Sequence, residues 1–280
     1  MSEPVAHRAA VLGHPIAHSL SPALHRAAYA ALGLDDWAYD AVDVAEDGLA
    51  SFVATLGPQW AGLSLTMPLK HAVLPLLDHV EPLAGVVGAV NTVLLQSAGA
   101  GRVLVGANTD VHGLVAALRE GLGTAPARSA VVLGAGATAS STLAALAELG
   151  CTTPVVLVRS AGRAGGLLRA AHRMGVTVEL RRLDEAATTI PRADVVVSTL
   201  PPHAADELAL ALTARPAGVL LDVAYDPCPT ALQAAWTALG GVAVGGERML
   251  LHQAAEQVRL MTGRPAPLAA MDAALAGVLG

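Results

Sequence analysis

Lys70 is the only lysine in the chain, and every other permanently cationic side chain is an arginine. It closes the run Gly-Leu-Ser-Leu-Thr-Met-Pro-Leu-Lys over residues 62–70. Arginine keeps its proton in proteins, whereas the pKa of lysine shifts readily when the side chain is buried. The retained lysine therefore indicates proton chemistry at position 70. A codon usage that removes lysine elsewhere explains the pattern equally well at this point.

Other polar residues could orient such a lysine or hold an anionic substrate. Asp110 stands at the start of a predicted helix, where capping is the simpler explanation. Ser21 is predicted to cap a helix over residues 22–32. Together with Ser19 it could also hold a carboxylate at the helix N-terminus. Asn91 on its own reads as a turn residue.

No metal site is predicted. Cys151 and Cys228 form neither a metal-ligand spacing nor a disulfide framework, so a reduced, cytoplasmic compartment is expected. Five histidines lack ligand spacing and are predicted to be surface or helix-capping residues: His14, His18, His25, His71 and His112.

A glycine-rich turn follows an apolar strand predicted over residues 129–133. The turn reads Gly134-Ala135-Gly136-Ala137-Thr138-Ala139 and leads into a helix that ends near Leu149. In this context, Gly-x-Gly-x-x-Ala is the dinucleotide-binding fingerprint of a Rossmann-type domain. Gly134 permits the tight turn, Gly136 allows close approach of a pyrophosphate, and the helix start offers free N–H groups. A plain glycine turn is the alternative.

The residues after the next strand favour NADP over NAD. An NAD site places an acidic residue about twenty residues beyond the glycines, but no Asp or Glu occurs between Glu148 and Glu179. Arg159, Ser160 and Arg163 stand there instead, and two guanidiniums with a hydroxyl suit a 2′-phosphate.

Composition restricts the classes of function. The chain has 280 residues, 54% of them hydrophobic and 14% charged, with a net charge of −6 and no basic run. A small-molecule substrate is therefore expected, with neither nucleic acid nor a membrane as partner. The longest uncharged stretches are interrupted by Gly, Ser, Thr or Pro, and residues 1–4 do not resemble the start of a signal peptide. Alternation of strands and helices predicts an α/β fold with mostly parallel sheets. The predicted elements include a helix from Pro68 towards Leu77, a strand over residues 176–180, and a strand pair over 91–96 and 102–107 that is joined by a second glycine-rich turn.

Seven segments together resemble the shikimate dehydrogenase family, and they extend along almost the whole chain. The segments are residues 13–22 (GHPIAHSLSP), 64–70 (SLTMPLK), 88–92 (GAVNT), 106–113 (GANTDVHG), 198–201 (STLP), 222–227 (DVAYDP) and 246–253 (GERMLLHQ).

The resemblance implies the reversible, NADPH-dependent reduction of 3-dehydroshikimate to shikimate. It also implies a substrate-binding α/β domain over residues 1–107, an NADP-binding Rossmann domain over 108–246, and C-terminal helices over 247–280 that pack back onto the first domain. Lys70 and Asp110 would be the acid–base pair, and Ser19 and Ser21 would bind the substrate carboxylate. The ring hydroxyls would be contacted by Thr66, Asn91, Tyr225 and Gln253. The cofactor would be bound by Gly134, Ala135, Gly136, Ala137, Thr138, Arg159, Ser160 and Arg163, and at its nicotinamide end by Val223 and Gly246.

Three segments depart from the family pattern. Ser64 stands where the family usually has asparagine, Val158-Arg159-Ser160 replaces Asn-Arg-Thr, and Arg248 occupies a position that is usually apolar or glycine. A quinate/shikimate or aminoshikimate dehydrogenase is the closest alternative, although Ser21 favours shikimate. A catalytically idle nucleotide-binding regulator is the alternative from another class. Monomer and homodimer both remain open.

Overall fold

The computed structural model describes residues 6–98 and 101–279, and these form two compact units. The first unit contains the described residues up to Thr109 and those from Leu251 onward; the second runs from Asp110 to Leu250. Residues 1–4, which bear on the signal-peptide prediction, lie outside the described residues. So do residues 99–100, at the centre of the turn predicted between the strands over 91–96 and 102–107.

Strands and helices alternate through the first unit. In chain order they are β1 (His7–Gly13), α1 (Ser21–Ala31), β2 (Trp37–Asp43), α2 (Glu46–Ala54), β3 (Trp60–Leu65), α3 (Leu69–Ala72), a 3-10 turn (Leu74–Leu76), β4 (His79–Val80), α4 (Pro82–Val87), β5 (Thr92–Ala98) and β6 (Gly101–Ala107).

The sheet of the first unit has the strand order β2-β1-β3-β5-β6-β4. β1 pairs in parallel with β2 and β3, whereas β5 runs antiparallel to both β3 and β6. The carboxyl ends of β1, β3 and β6 therefore lie at the same edge of the sheet as the start of β5. We call this edge the first-unit site edge; it brings together segments distant in sequence.

Alternate residues of β1 face opposite sides of this sheet, as the strand period of two requires. Ala10 and Leu12 pack in a cluster with Leu49 of α2. Ala9 and Val11 pack in a second cluster with Tyr29 of α1. Burial on both faces explains why β1 reads as a continuous apolar run rather than as alternating polar and apolar residues.

The second unit repeats the strand–helix pattern. Its elements are α5 (Asp110–Leu122), β7 (Ala130–Leu133), α6 (Ala137–Glu148), β8 (Val155–Val158), a 3-10 turn (Ala161–Arg163), α7 (Gly165–Met174), β9 (Glu179–Arg182), a 3-10 turn (Leu183–Glu185), α8 (Ala186–Thr189), a 3-10 turn (Ile190–Arg192), β10 (Val195–Ser198), α9 (Asp206–Ala211), β11 (Val219–Asp222), α10 (Ala231–Ala238) and β12 (Val242–Gly245).

All neighbouring strands of the second sheet are parallel, in the order β12-β11-β10-β7-β8-β9. Counted from β7, this is the order 3-2-1-4-5-6 of doubly wound dinucleotide-binding folds. The interior strands are apolar, whereas the edge strand β9 reads Glu-Leu-Arg-Arg, and charged side chains protect an edge from pairing with another chain. The predicted α/β class with mostly parallel sheets is confirmed.

Two helices complete the chain, α11 (Gly246–Thr262) and α12 (Leu268–Leu279). α11 begins in the second unit and continues into the first at Leu251. α12 packs against α1 of the first unit. Among the described residues, no helix combines the length and apolar character needed to cross a membrane.

Two elements differ from the predictions. The helix predicted from Pro68 towards Leu77 breaks after α3, because Pro75 lacks the N–H that a continuing helix needs. The strand predicted over 176–180 begins only at Glu179. Gly175 has φ +68°, and the N–H of Val176 donates to the carbonyl of Ala171, so Val176 belongs to the end of α7.

Candidate active site

Lys70 lies in α3, four residues beyond Thr66, which directly follows β3. The N–H of Thr66 donates to the carbonyl of Leu12 at 2.9 Å. A Cβ at Gly13 would lie 2.3 Å from Cγ2 of Thr66, so glycine is needed where the loops after β1 and β3 meet. Lys70 is half-buried. The backbone carbonyl of Lys70 accepts a hydrogen bond from the N–H of Val90 at 2.9 Å. Lys70 is thus anchored at the first-unit site edge.

Ser19 and Ser21 lie where the loop after β1 enters α1. The predicted N-cap role of Ser21 is wrong, because Ser21 is the first helical residue and Leu20 occupies the cap position. Pro22 is tolerated anywhere in the first turn, so the helix can begin one residue earlier than predicted. Oγ of Ser19 accepts a hydrogen bond from the N–H of Ser21 at 3.4 Å. With no acidic residue in its first turn, this helix start remains favourable for an anion.

Asn91 is the centre of a buried polar cluster just before β5, with only 1% of its surface exposed. Its Oδ1 accepts from the backbone N–H of Thr109 at 2.7 Å and from Oγ1 of Thr92 at 3.0 Å. Its Nδ2 donates to Oγ1 of Thr109 at 2.9 Å and to Oε1 of Gln253 at 3.2 Å. Asn91 is therefore a fixed part of a network, not the isolated turn residue that its local sequence indicates.

A hydrogen-bonded chain extends this cluster into the core of the first unit. Tyr39 Oη donates to Oγ of Ser64 at 2.6 Å, and Ser64 donates in turn to Oε1 of Gln257 at 2.8 Å. Nε2 of Gln257 donates to Oγ1 of Thr92 at 3.0 Å and to the carbonyl of Asn91 at 3.2 Å. The serine at position 64 thus lies between a tyrosine and a glutamine. Sequence reasoning singled out neither partner.

His25 is fully buried in α1, so the prediction that it is a surface or capping residue is wrong. Its ring stacks on Tyr39, with centroids 3.8 Å apart and planes inclined by 14°. Nδ1 lies 3.0 Å from the carbonyl of Ser21 and donates to it. Burial lowers the pKa of His25 to about 4, a shift that the Ser21 carbonyl partly opposes. Its position on the apolar face of α1 is the signal that could have indicated burial.

Asp110 is the first residue of α5 and is 3% exposed. A carboxylate at this place is stabilised by the positive end of the helix dipole. The residues just before it are anchored at the first-unit site edge, since Nδ2 of Asn108 donates to the carbonyl of Ala89 at 2.9 Å. Asp110 is also the first residue of the second unit.

The glycine-rich turn of the second unit has the geometry expected of a phosphate cradle. Gly134 has φ +105°, and a Cβ there would lie 2.6 Å from Oγ1 of Thr199, so a side chain is excluded. Gly136 is the N-cap of α6 and makes no side-chain capping bond. Apart from Gly136 itself and its two chain neighbours, no described heavy atom lies within 4 Å of where its Cβ would be. The first N–H groups of α6, from Ala137, Thr138 and Ala139, are therefore available to an anion.

Arg159 follows the carboxyl end of β8 and lines a cavity of about 380 Å³ within the second unit. Among the described residues its guanidinium has no hydrogen-bond or ion-pair partner, so it can receive an anion. Arg159, Ser160 and Arg163 are all exposed. Ser160 is the N-cap of the following 3-10 turn and Arg163 ends that turn, and neither is among the residues that line the cavity. The structure therefore brings Arg159, rather than all three, into the cavity.

Val223 and Gly246 meet through their backbones. A Cβ at Gly246 would lie 2.2 Å from the carbonyl oxygen of Val223, so only glycine permits this approach. Tyr225 is half-buried, and burial, with a further contribution from Asp226, raises the pKa of its phenol. The loop between β11 and α10 is held by Thr230, whose Oγ1 donates to Oδ2 of Asp222 at 2.8 Å.

Arg248, which departs from the family pattern, forms a two-point ion pair with Glu120. Its Nε donates to Oε2 at 2.8 Å and its Nη2 to Oε1 at 2.9 Å. This fork-to-carboxylate geometry is the stronger kind of ion pair, and it links the first turn of α11 to α5. The arginine thus has a structural partner inside the second unit.

Among the described residues, no group of three or more His, Cys, Asp or Glu side chains is arranged to hold a metal ion. The two cysteines are free; Cys151 is buried and Cys228 exposed.

Comparison with known proteins identifies the family. Three family models match: the shikimate dehydrogenase substrate binding domain at residues 11–93, shikimate / quinate 5-dehydrogenase at 117–210, and the shikimate 5'-dehydrogenase C-terminal domain at 246–276. The shikimate dehydrogenase (NADP(+)) of Moorella thermoacetica is 36% identical over 279 residues, covering 97% of this chain and 93% of the relative.

Solved structures agree with these matches. Mycobacterium tuberculosis shikimate dehydrogenase is 42% identical, with a TM-score of 0.85 and coverage of 97% of this chain and 99% of that one. The Thermus thermophilus shikimate 5-dehydrogenase solved with NADP(H) and shikimate is 35% identical, with a TM-score of 0.82 and coverage of 98% and 100%. A quinate dehydrogenase from Corynebacterium glutamicum, solved with NAD, is 30% identical, with a TM-score of 0.83 and coverage of 97% and 99%. The chain belongs to the shikimate dehydrogenase family.

Proposed function

We propose that this chain is an NADP-dependent shikimate dehydrogenase, which interconverts 3-dehydroshikimate and shikimate in the biosynthesis of aromatic amino acids. The observation that carries the proposal is the buried polar cluster around Asn91, within the part of the chain that matches a substrate binding domain. Fixed amide and hydroxyl groups of this kind suit a ligand rich in hydroxyls, because each can donate or accept a hydrogen bond.

The proposed substrate contacts of the first unit follow from its sheet. Thr66 directly follows β3, Asn91 directly precedes β5, and Ser19 and Ser21 follow β1, so all four belong to the first-unit site edge. The start of α1 provides N–H groups and hydroxyls for the substrate carboxylate. Thr66, Asn91 and Gln253 would then contact ring hydroxyls. We assign Tyr225 the same role by resemblance.

The fit of NADP is supported by two features of the second unit. The open backbone around Gly136 can receive a pyrophosphate, and the unpartnered Arg159 guanidinium can receive a 2′-phosphate. Ala135, Ala137 and Thr138 would contribute backbone groups of the turn, and Ser160 and Arg163 would add further donors. We propose that the nicotinamide end lies near the backbone of Val223 and Gly246. When bound, NADP supplies the hydride acceptor or donor.

The proton transfer has to be carried out by a side chain of the protein. In the direction of oxidation the alcohol must lose a proton as hydride leaves its carbon, and we propose Lys70 as the group that takes it. In reduction, the Lys70 ammonium returns a proton to the carbonyl oxygen. Asp110, held at the positive end of a helix dipole, would orient the ammonium and accept a hydrogen bond from a substrate hydroxyl.

Quinate is the main competing substrate, since one matching family model covers both shikimate and quinate enzymes. Ser21 favours shikimate, because the quinate type suits threonine at that position. A cytoplasmic location, and a monomeric or homodimeric state, remain predictions that cell fractionation and light scattering can test.

A spectrophotometric assay with shikimate and quinate, each with NADP and NAD, tests the proposal. Shikimate with NADP should give the highest kcat/KM of the four combinations. Absence of NADP reduction with shikimate at any concentration would refute the proposed function. Turnover of quinate with a higher kcat/KM would instead identify the quinate-type enzyme.

A further inference from the structure

The cavity beside Arg159 contains residues that the sequence did not single out. It opens where β8 and β9 end, against α9, and has a volume of about 380 Å³. That volume lies within the range of small-molecule pockets. Arg159 and Arg182 contribute two guanidiniums to its lining, and Asp184 and Glu207 two carboxylates. Leu208 adds an apolar side.

Arg182 in β9 lies directly beside Val158, the residue that precedes Arg159. β8 and β9 pair in parallel with Val158 opposite Arg182, and adjacent strands lie about 5 Å apart. Both guanidiniums therefore reach the cavity from neighbouring strand ends. Arg181, one residue earlier, points to the opposite face of the strand and donates to Glu179 at 2.7 Å. It is not among the residues that line the cavity.

Asp184 holds Arg182 in place. Nη2 of Arg182 donates to Oδ2 of Asp184 at 2.6 Å, and its Nε lies 3.0 Å and 3.1 Å from the two carboxylate oxygens. The guanidinium lowers the pKa of the Asp184 carboxyl, so the pair is ionised at neutral pH. Arginine carries five N–H donors, so donors remain for a second anion.

We propose that Arg182 is a second determinant of NADP specificity, which binds the 2′-phosphate together with Arg159 while Asp184 limits the strength of that contact. This inference rests on the proposed use of NADP. A 2′-phosphate carries nearly two negative charges and accepts several hydrogen bonds, so it can engage two guanidiniums at once. Asp184 competes for Arg182, and its negative charge also repels the phosphate. Removal of Asp184 should therefore strengthen binding, whereas removal of Arg182 should weaken it.

Calorimetric binding of two cofactor fragments tests the proposal without turnover. The fragments are adenosine 2′,5′-bisphosphate and adenosine 5′-monophosphate, which differ only in the 2′-phosphate. Arg182→Ala should weaken binding of the bisphosphate about 3- to 10-fold, the range for a solvent-accessible charge contact. The same variant should change monophosphate binding less than about 2-fold.

Arg181→Ala is the matched control, because it removes the same charge from the preceding residue. It should not change the ratio of the affinities for the bisphosphate and the monophosphate. Asp184→Asn should strengthen bisphosphate binding about 2- to 3-fold and leave the monophosphate unchanged. Opposite effects of Arg182→Ala and Asp184→Asn would support the proposal, since a general structural defect cannot produce both.

Two outcomes overturn the inference, in a protein that still oxidises shikimate with NADP. In the first, Arg182→Ala leaves the affinity for the bisphosphate unchanged; in the second, it weakens binding of both fragments equally. That outcome leaves the proposed function intact. A wild-type protein that neither oxidises shikimate nor prefers the bisphosphate over the monophosphate would refute the function and the inference together.

Discussion

Acidification should destabilise the first unit through His25. This histidine is fully buried, stacks on Tyr39 and has a pKa of about 4, against an ordinary value of 6.5. Among the described residues its Nε2 has no hydrogen-bond partner, so a second proton there would be a buried charge without compensation. The folded protein therefore keeps His25 neutral in a pH range where the unfolded chain protonates it.

The sign and size of the effect follow from linkage. The folded-state pKa is depressed, so the stability contribution is fully present above about pH 6.5 and is lost as the pH falls towards 4. A shift from 6.5 to about 4 corresponds to a total of about 3 kcal/mol, because one pKa unit is about 1.4 kcal/mol. Between about pH 7.5 and pH 5 the expected loss is about 2 kcal/mol.

Urea denaturation of the wild type and of His25→Phe at these two pH values measures this loss. Phenylalanine keeps a planar ring against Tyr39 but cannot be protonated. The free energy of unfolding of the variant should therefore fall by about 2 kcal/mol less than that of the wild type over the same pH interval. Other titrating groups are common to both proteins and cancel in the comparison. Equal losses in the two proteins, or an NMR titration that places the His25 pKa near 6.5, would refute the reasoning.

Four further substitutions test other parts of the structure. Lys70→Met, which keeps an unbranched stem but removes the ammonium, should lower kcat with shikimate about 10²- to 10⁴-fold with a smaller change in KM; near-normal turnover would exclude it as the acid–base group. Ser64→Ala leaves two buried partners unpaired and should lower the free energy of unfolding by about 2 to 4 kcal/mol in urea denaturation. Tyr39→Phe removes only one donor and should cost about 1 kcal/mol, so an equal loss in both variants would contradict the network. Thr230 is the N-cap of α10, and its Oγ1 accepts a hydrogen bond from the N–H of Gln233 at 3.2 Å. Thr230→Val keeps the side-chain shape but removes this cap and the bond to Asp222, and should cost about 2 to 3 kcal/mol by the same measurement; no change would contradict the capping geometry.

Much of the fold could be predicted from local sequence, because interior parallel strands are apolar runs that end in turn residues. β7, β10 and β11 illustrate this, and each is a fully buried run of four residues. β4 could not be predicted, since it consists of two exposed residues, His79 and Val80, which are too few to show the alternation of apolar and polar residues that indicates a strand. Its existence depends on pairing with β6, which is a tertiary interaction.

The candidate site likewise contains residues that local sequence predicts and residues that it does not. Gly134 and Gly136 could be predicted because a backbone requirement leaves a local signature in the sequence. The partners of Ser64 could not, since Tyr39 is 25 residues away and Gln257 is 193 residues away, and no local pattern specifies such a pairing. The same holds for Arg248, whose partner Glu120 is 128 residues distant. The assignment of Lys70 and Asp110 as catalytic residues remains a prediction that depends on the family resemblance.

The first unit is discontinuous in sequence, and this has a consequence for synthesis on the ribosome. Gln253 and Gln257 complete hydrogen bonds to Asn91, Thr92 and Ser64, yet they emerge only after the whole second unit has been made. The buried polar groups of the nascent first unit therefore lack their partners until α11 has been made, whereas the second unit is contiguous over residues 110–250. A chain truncated before Gln253 should accordingly lose resistance to proteolysis in its first 109 residues while the second unit stays resistant. The proposed substrate site should thus become complete only once α11 has been synthesised.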